Sequence, residues 1–281
     1  MIGAFTHHAD EHGWAPVFYA ASASFVDEYR NAGYEALQIG DEAVIPLTGL
    51  EFRGKEWQNI RSAVNRAGRE GLTFLMFEGG SIPTGIRGQL FEISAEWLAS
   101  HGLPPMGFTL GTTEDIDDPN VNVAVAVDGA GHVHAYADWL PVYARRGWVI
   151  DLMRRREDAM AGVMDFLIGT SLMAFKERGY QMASLSTAPL AGLDSGETSL
   201  VQWILRRIYE RSHTYYDFGS LFRYKEKFQP HWEHIYLMHR GLATLPTAAV
   251  ALTRAYLPGF GLSDATKLLG GSTAKLLFPK E

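Results

Sequence analysis

The chain has 281 residues, 47% of them hydrophobic and 20% charged, with a formal net charge of −7. That composition excludes a disordered chain and is long enough to bury a sizeable core in one or two domains. It contains no cysteine, which removes disulfides, thiolate metal centres and cysteine nucleophiles and fits a reducing compartment.

The opening residues carry no signal-peptide pattern, and His7, His8 and His12 read as a solvated helix face. Residues 14–19 are apolar and aromatic, as a strand requires. In 24–32, Phe25 and Tyr29 stand four apart, which predicts a helix stopped by Gly33. A short strand is predicted over 43–47, then a helix over 55–70 with Trp57, Ile60, Val64 and Ala67 as its apolar stripe. A strand over 72–77 follows Gly71. The Gly- and Pro-rich stretch 81–88 reads as a linker, and 89–100 as a helix bridging two halves. Residues 121–127 and 132–140 predict a hairpin that turns at Asp128-Gly129-Ala130-Gly131. Next come a strand over 147–153, a long helix over 159–178 and a buried strand over 182–186. Helices over 200–211 and 220–228, a strand over 232–238 and a packed helix within 242–262 complete the chain. No run of 18 apolar residues occurs. The order of elements predicts a mixed α/β fold with a mostly antiparallel sheet covered by helices.

Several chemistries lack their signatures. There is no phosphate-cradling G-x-x-x-x-G-K-[ST], no G-x-S-x-G elbow and no H-E-x-x-H, and Gly259-Phe260-Gly261 lacks the third glycine of a dinucleotide site. The pairs His132/His134 and His231/His234 have no acidic residue at ligand spacing, so they read as ordinary surface or core histidines and no metal is expected. Charge is unevenly spread: residues 142–240 hold 14 Lys and Arg against 11 Asp and Glu, in an otherwise acidic chain. Within that stretch a strand carrying Asp151 ends in Arg154, Arg155 and Arg156. Its charges could simply be solvated, or they could hold an anion where the next helix begins. Farther on, Arg223, Lys225 and Lys227 alternate with Phe222, Tyr224 and Phe228. That pattern suits either an amphipathic helix or single-stranded RNA, with cations on phosphates and rings on bases.

Taken together, the motifs resemble one family in order and spacing. They are Asp151-Leu152-Met153-Arg154, Gly162-Val163-Met164-Asp165-Phe166-Leu167, Ala188-Pro189-Leu190-Ala191-Gly192 and Tyr224-Lys225-Glu226-Lys227-Phe228 with Trp232-Glu233. The family is the catalytic domain of the aminoacyl-phosphatidylglycerol synthases, also called MprF or phosphatidylglycerol lysyltransferases. The resemblance runs from Gly13-Trp14-Ala15-Pro16 to about Leu245. It implies tandem acetyltransferase-like (GNAT) domains, each a mixed sheet flanked by helices: an N-terminal half over 1–85, a connecting helix over 86–103 and a catalytic half over 104–281. It also implies transfer of a lysyl or alanyl group from aminoacyl-tRNA to the glycerol hydroxyl of phosphatidylglycerol, which lowers the negative charge of the lipid and protects against cationic peptides. The place of action would be the cytoplasm, at the inner face of the membrane. The partner would be a membrane-spanning flippase region absent from this chain, which would then be a soluble fragment or a stand-alone relative. No cofactor is expected.

For the site, the resemblance implies Asp151 as general base or as anchor of the substrate α-ammonium group. Arg154, Lys225 and Lys227 would hold phosphates of the tRNA end or of the lipid, with Arg155, Arg223 and Glu226 beside them. Arg66 and Glu70 resemble positions facing the same cleft. Three rival readings stay open: an acetyl-CoA-dependent acyltransferase, a tRNA-dependent transferase with another acceptor, and a non-catalytic tRNA- or membrane-binding module. The first is disfavoured because the pyrophosphate loop R-x-x-G-x-G/A is not present between Arg156 and Gly162.

Overall fold

The computed structural model describes residues 1–101, 107–109, 111–189 and 218–256. In chain order the elements are α1 (Ile2–Glu11), β1 (Phe18–Ser22), α2 (Val26–Asn31), β2 (Glu35–Pro46), α3 (Gln58–Arg69), β3 (Thr73–Glu78) and α4 (Thr84–His101). They continue with β4 (Asn122–Val127), β5 (Val133–Val142), β6 (Gly147–Arg155), α5 (Val163–Glu177), β7 (Met182–Pro189), α6 (Phe218–Glu226), β8 (His231–His239) and α7 (Leu245–Tyr256). This is a mixed α/β fold with its strands flanked by helices. The helix expected over 200–211 lies outside the described residues.

Two compact units emerge. One takes residues 1–42 and 232–256 with the end of β7; the other takes 43–186 and 219–231. The cuts fall elsewhere than at 85 and 103, because the two ends of the chain come together in one unit. In that unit the strand order is β1-β8-β2, with β1 antiparallel to β8. One core cluster joins Ile39, Ile235, Leu237 and Leu245, and another joins Val26, Tyr34 and Met238. The strand expected over 14–19 begins only at Phe18, and its pairing with β8 shifts register between Phe18 and Ala21, where Ala20 has φ +58°. Pro16 has no N–H to give a ladder, which delays the start.

In the other unit the order is β7-β6-β5-β4-β3. Strands β3 to β6 form an antiparallel meander, and β6 pairs parallel with β7 through the crossover helix α5. The expected hairpin is β4 and β5, and its turn is held by Asp128, whose Oδ1 accepts the N–H groups of Ala130 and His132. On one side of these strands Leu90 and Ile93 of α4 pack with Val123, Val125 and Tyr136, and on the other Phe175 of α5 meets Trp139 and Trp148. The expected linker over 81–88 is instead the start of α4. Pro83 stands just ahead of the first turn, where a missing N–H costs nothing, and its carbonyl accepts from Ile86 and Arg87.

Candidate active site

The spacing of Asp151 and Arg154 poses a geometric problem, because residues three apart on a regular strand point to opposite faces. The pairing of β5 with β6 resolves it. Trp139 sits across from Ile150 and Ala137 across from Met153, so Asp138 of β5 faces both Asp151 and Leu152 of β6. One extra residue on β6 makes a β-bulge, and the facing of the strand inverts there. Trp148 stacks on Phe175 of α5 with ring centroids 5.4 Å apart, whereas Leu152 packs with Leu90 and Ile93 of α4. Asp151 and Arg154 both end up on the α4 side.

Both side chains reach the segment that precedes β4. Asp151 Oδ2 accepts the Gly111 N–H at 2.8 Å, and Arg154 Nη1 donates to Thr113 Oγ1 at 3.2 Å. Thr113 passes its own hydrogen to Ser94 Oγ (2.9 Å), which bonds the Tyr136 hydroxyl at 2.5 Å. The Arg154 guanidinium lies 5.1 Å from the centre of the Trp97 ring and is 9% exposed. It is thus fixed by a hydroxyl and an aromatic face, with no carboxylate bonded to it among the described residues. Gly111 is required for sterics: a Cβ there would collide with the carboxylates of Asp151 and Asp115. Asp115 in turn caps its own turn, accepting the Thr112 N–H at 2.6 Å.

Asp151, Gly111 and Asp115 wall a cleft of about 330 Å3 that Phe108, Thr109, Asp118, Val121 and Leu140 also line. That volume lies within the ~300–1,000 Å3 range of small-ligand sites. Three aspartates give the cleft an anionic wall, and Asp151 Oδ1 receives no hydrogen bond from the described residues. Burial raises the Asp151 carboxyl above its ordinary range, opposed by the Gly111 N–H, and the charge of Asp115 adds to the rise. Beneath it, Asp138 is completely buried and is pushed up to about 8, first by burial and then by the Asp151 charge. The sequence reading passed over Asp138. Its one signal is the only acid in a strand whose other residues, His134 apart, are apolar or aromatic.

Several of the other residues singled out by sequence have partners of their own. Arg66 is exposed on α3 and donates to the Ala161 carbonyl at 3.4 Å, and Glu70 is exposed just past the helix end. Arg155 donates to the Arg156 carbonyl at 3.1 Å. Arg156 is clamped by Glu96 (2.5 Å) and Glu92 (3.0 Å) of α4 and by the Val133 carbonyl. On α6, Arg223 and Glu226 are exposed and Lys225 is buried. Lys227 pairs with Asp165 of α5 at 3.1 Å and lies 4.8 Å from the centre of the Tyr224 ring. Burial and the Asp165 charge drive the Tyr224 hydroxyl well up. Among the described residues, Arg66, Glu70, Arg155 and Arg223 make no hydrogen bond with Asp151 or Arg154.

The histidine pairs also have ordinary partners. His134 Nε2 bonds Asp128, and His234 Nδ1 bonds Asp41 at 2.7 Å and Gln38 at 2.9 Å. Among the described residues no group of three His, Asp or Glu could hold a metal ion, and no helix is long and apolar enough to cross a membrane.

Comparison with known proteins shows the family. The family model described as phosphatidylglycerol lysyltransferase, C-terminal, matches residues 1–239. The chain belongs to that family. An uncharacterised protein of Corynebacterium glutamicum is 32% identical over 274 residues, covering 95% of this chain and 34% of the relative. The phosphatidylglycerol lysyltransferase of Bacillus subtilis is 30% identical over 257 residues, 90% of this chain and 29% of its own length. The chain therefore spans about a third of the length of these curated relatives. Among solved structures, L-PGS from Bacillus licheniformis superposes with a TM-score of 0.78 at 29% identity, over 91% of this chain and 77% of that one. The bulged strand and its cleft are thus features of a phosphatidylglycerol lysyltransferase C-terminal domain.

Proposed function

We propose that the chain transfers an aminoacyl group from aminoacyl-tRNA to a glycerol hydroxyl of phosphatidylglycerol. The reading rests chiefly on one observation: Asp151 lines an acid-walled cleft and shares its face of β6 with Arg154, in a chain of this family. An aminoacyl ester is already activated, so positioning and charge stabilisation carry most of the rate. The lipid hydroxyl oxygen bonds to the ester carbonyl carbon, the bond from that carbon to the ribose oxygen breaks, and the hydroxyl proton ends on the ribose oxygen. Asp151 Oδ1, which receives no hydrogen bond from the described residues, would take that proton and return it, or anchor the substrate α-ammonium group. Arg154 offers guanidinium N–H groups to the developing oxyanion or to a phosphate. Asp115 and Asp118 add negative charge where a lysyl ε-ammonium group would sit, which favours lysyl over alanyl. Arg223 on α6 provides exposed positive charge for tRNA. Through the lipid product the reaction would reduce the charge of the inner membrane face and the binding of cationic peptides.

The test mixes the protein with phosphatidylglycerol liposomes and a pool of charged, labelled tRNAs, and follows label into the lipid. RNase-sensitive transfer is expected, with lysyl label moving. Asp151→Asn should lower it by about 100- to 10,000-fold, the usual range for a proton-transfer group, with an unchanged melting curve. Absence of transfer from wild-type protein would contradict the assignment, and turnover of acetyl-CoA would replace it.

A further inference from the structure

The bulge that brings Asp151 and Arg154 together has an orphaned backbone group at its centre, and one side chain satisfies it. The Leu152 N–H points away from the regular ladder and is taken by Asp138 Oδ1 at 2.5 Å. Asp138 is 0% exposed, and its Oδ2 has no partner among the described residues. We propose that Asp138 is a positioning residue: it closes the bulge of β6 from beneath the cleft and so holds Asp151 and Arg154 on one face. The idea rests on the transferase reading only for what the two held residues do.

Geometry and charge agree. Alternation along β5 puts Asp138 on the same side as Tyr136, whose hydroxyl bonds Ser94 of α4. The ionisable groups that act on it are Asp151 and Arg154 on β6, with Tyr136 beside it on its own strand. A second carboxylate charge beside Asp151 would be repelled, and burial opposes it as well. Asp138 therefore keeps its proton through neutral pH, with Oδ1 accepting from Leu152 and Oδ2 carrying the hydrogen. An asparagine reproduces both features, with an oxygen to accept and an uncharged group beside it. An alanine leaves the Leu152 N–H without a partner in the interior.

Two variants and three readouts test this on the whole chain. In wild-type protein and in Asp138→Asn, the Leu152 amide should exchange slowly with solvent. In Asp138→Ala its exchange should speed up at least tenfold relative to neighbouring β6 amides. Carbon-13 carboxyl spectra should show one aspartate still protonated at pH 7, and Asp138→Asn should remove that signal. In the lipid-transfer assay, Asp138→Asn should keep kcat within about threefold, while Asp138→Ala should lose kcat about 100-fold with little change in KM. Equal Leu152 exchange in wild type and the alanine variant would overturn the proposal. So would an Asp138 carboxyl titrating in the ordinary range, or an asparagine variant as impaired as the alanine one. If the alanine variant does not fold, the carboxyl signal and the asparagine kinetics still decide. If wild-type protein moves no label, the transferase reading fails while Leu152 exchange and the carboxyl signal still judge the role of Asp138.

Discussion

Two regions drew attention for the same reason, cationic residues close to acids and aromatics, and the structure treats them differently. At the end of α6, Lys227 is held by Asp165 and covered on one side by Tyr224, so its charge is already matched. On β6, Arg154 has a hydroxyl and a ring for company, and Asp151 has one backbone N–H. Even arginines two positions apart diverge, since Arg156 is clamped by two glutamates of α4 while Arg154 is not. Matched charges stabilise a fold. Charges left part-matched beside a cleft are available to a substrate.

The sharpest way to break this contrast is at Gly111, whose N–H makes the one hydrogen bond that Asp151 receives from the described residues. Gly111→Ala should push the carboxylate aside and cost about 100-fold in transfer, as a misplacement of about an ångström does, with little change in melting temperature. Loss of activity only through unfolding would show that the glycine serves packing. On the matched side, Arg156→Met should destabilise by about 2–3 kcal/mol, because it removes two ion pairs and a bond to Val133, with the activity of the remaining folded protein unchanged. Denaturant titration measures that directly. Lys227→Met should cost about 1–2 kcal/mol by leaving Asp165 unpartnered on α5. If Lys227 also binds tRNA phosphate, KM for the charged tRNA should rise together with that loss; a stability change alone would mark it as structural.

The pH dependence of stability sharpens the same contrast from the buried side. Asp138 has a folded value of about 8, above its ordinary value of 3.8. Between those limits the folded state holds a proton that the unfolded chain releases, so its contribution is complete at low pH and fades as pH rises towards 8. Asp138→Asn cannot titrate. Its melting temperature relative to wild type should therefore climb between pH 4 and pH 8, and a constant difference would show that Asp138 is ionised in the fold.

Much of the fold was legible because its signals are local. The stripe of Ile60 and Ala67 gives α3, and the Asp128 turn gives the hairpin. The start of α4 was not, because Gly and Pro near a helix N-terminus look the same as a linker until the chain is seen to continue. Asp151 and Arg154 were legible as a pair of residue types, but their common facing was not. Strand alternation puts them on opposite faces, and only the cross-strand register, a long-range property, reveals the bulge. Asp138 was harder still. Its role depends on an amide fourteen residues beyond it that no periodicity marks.

The most direct measurement is a double-mutant cycle on label transfer with Asp151→Asn, Arg154→Met and the two combined. If the bulge makes the pair act on one substrate, the double variant should lose about as much activity as the worse single variant. Losses that multiply, as for two independent sites, would contradict a shared face with a shared task.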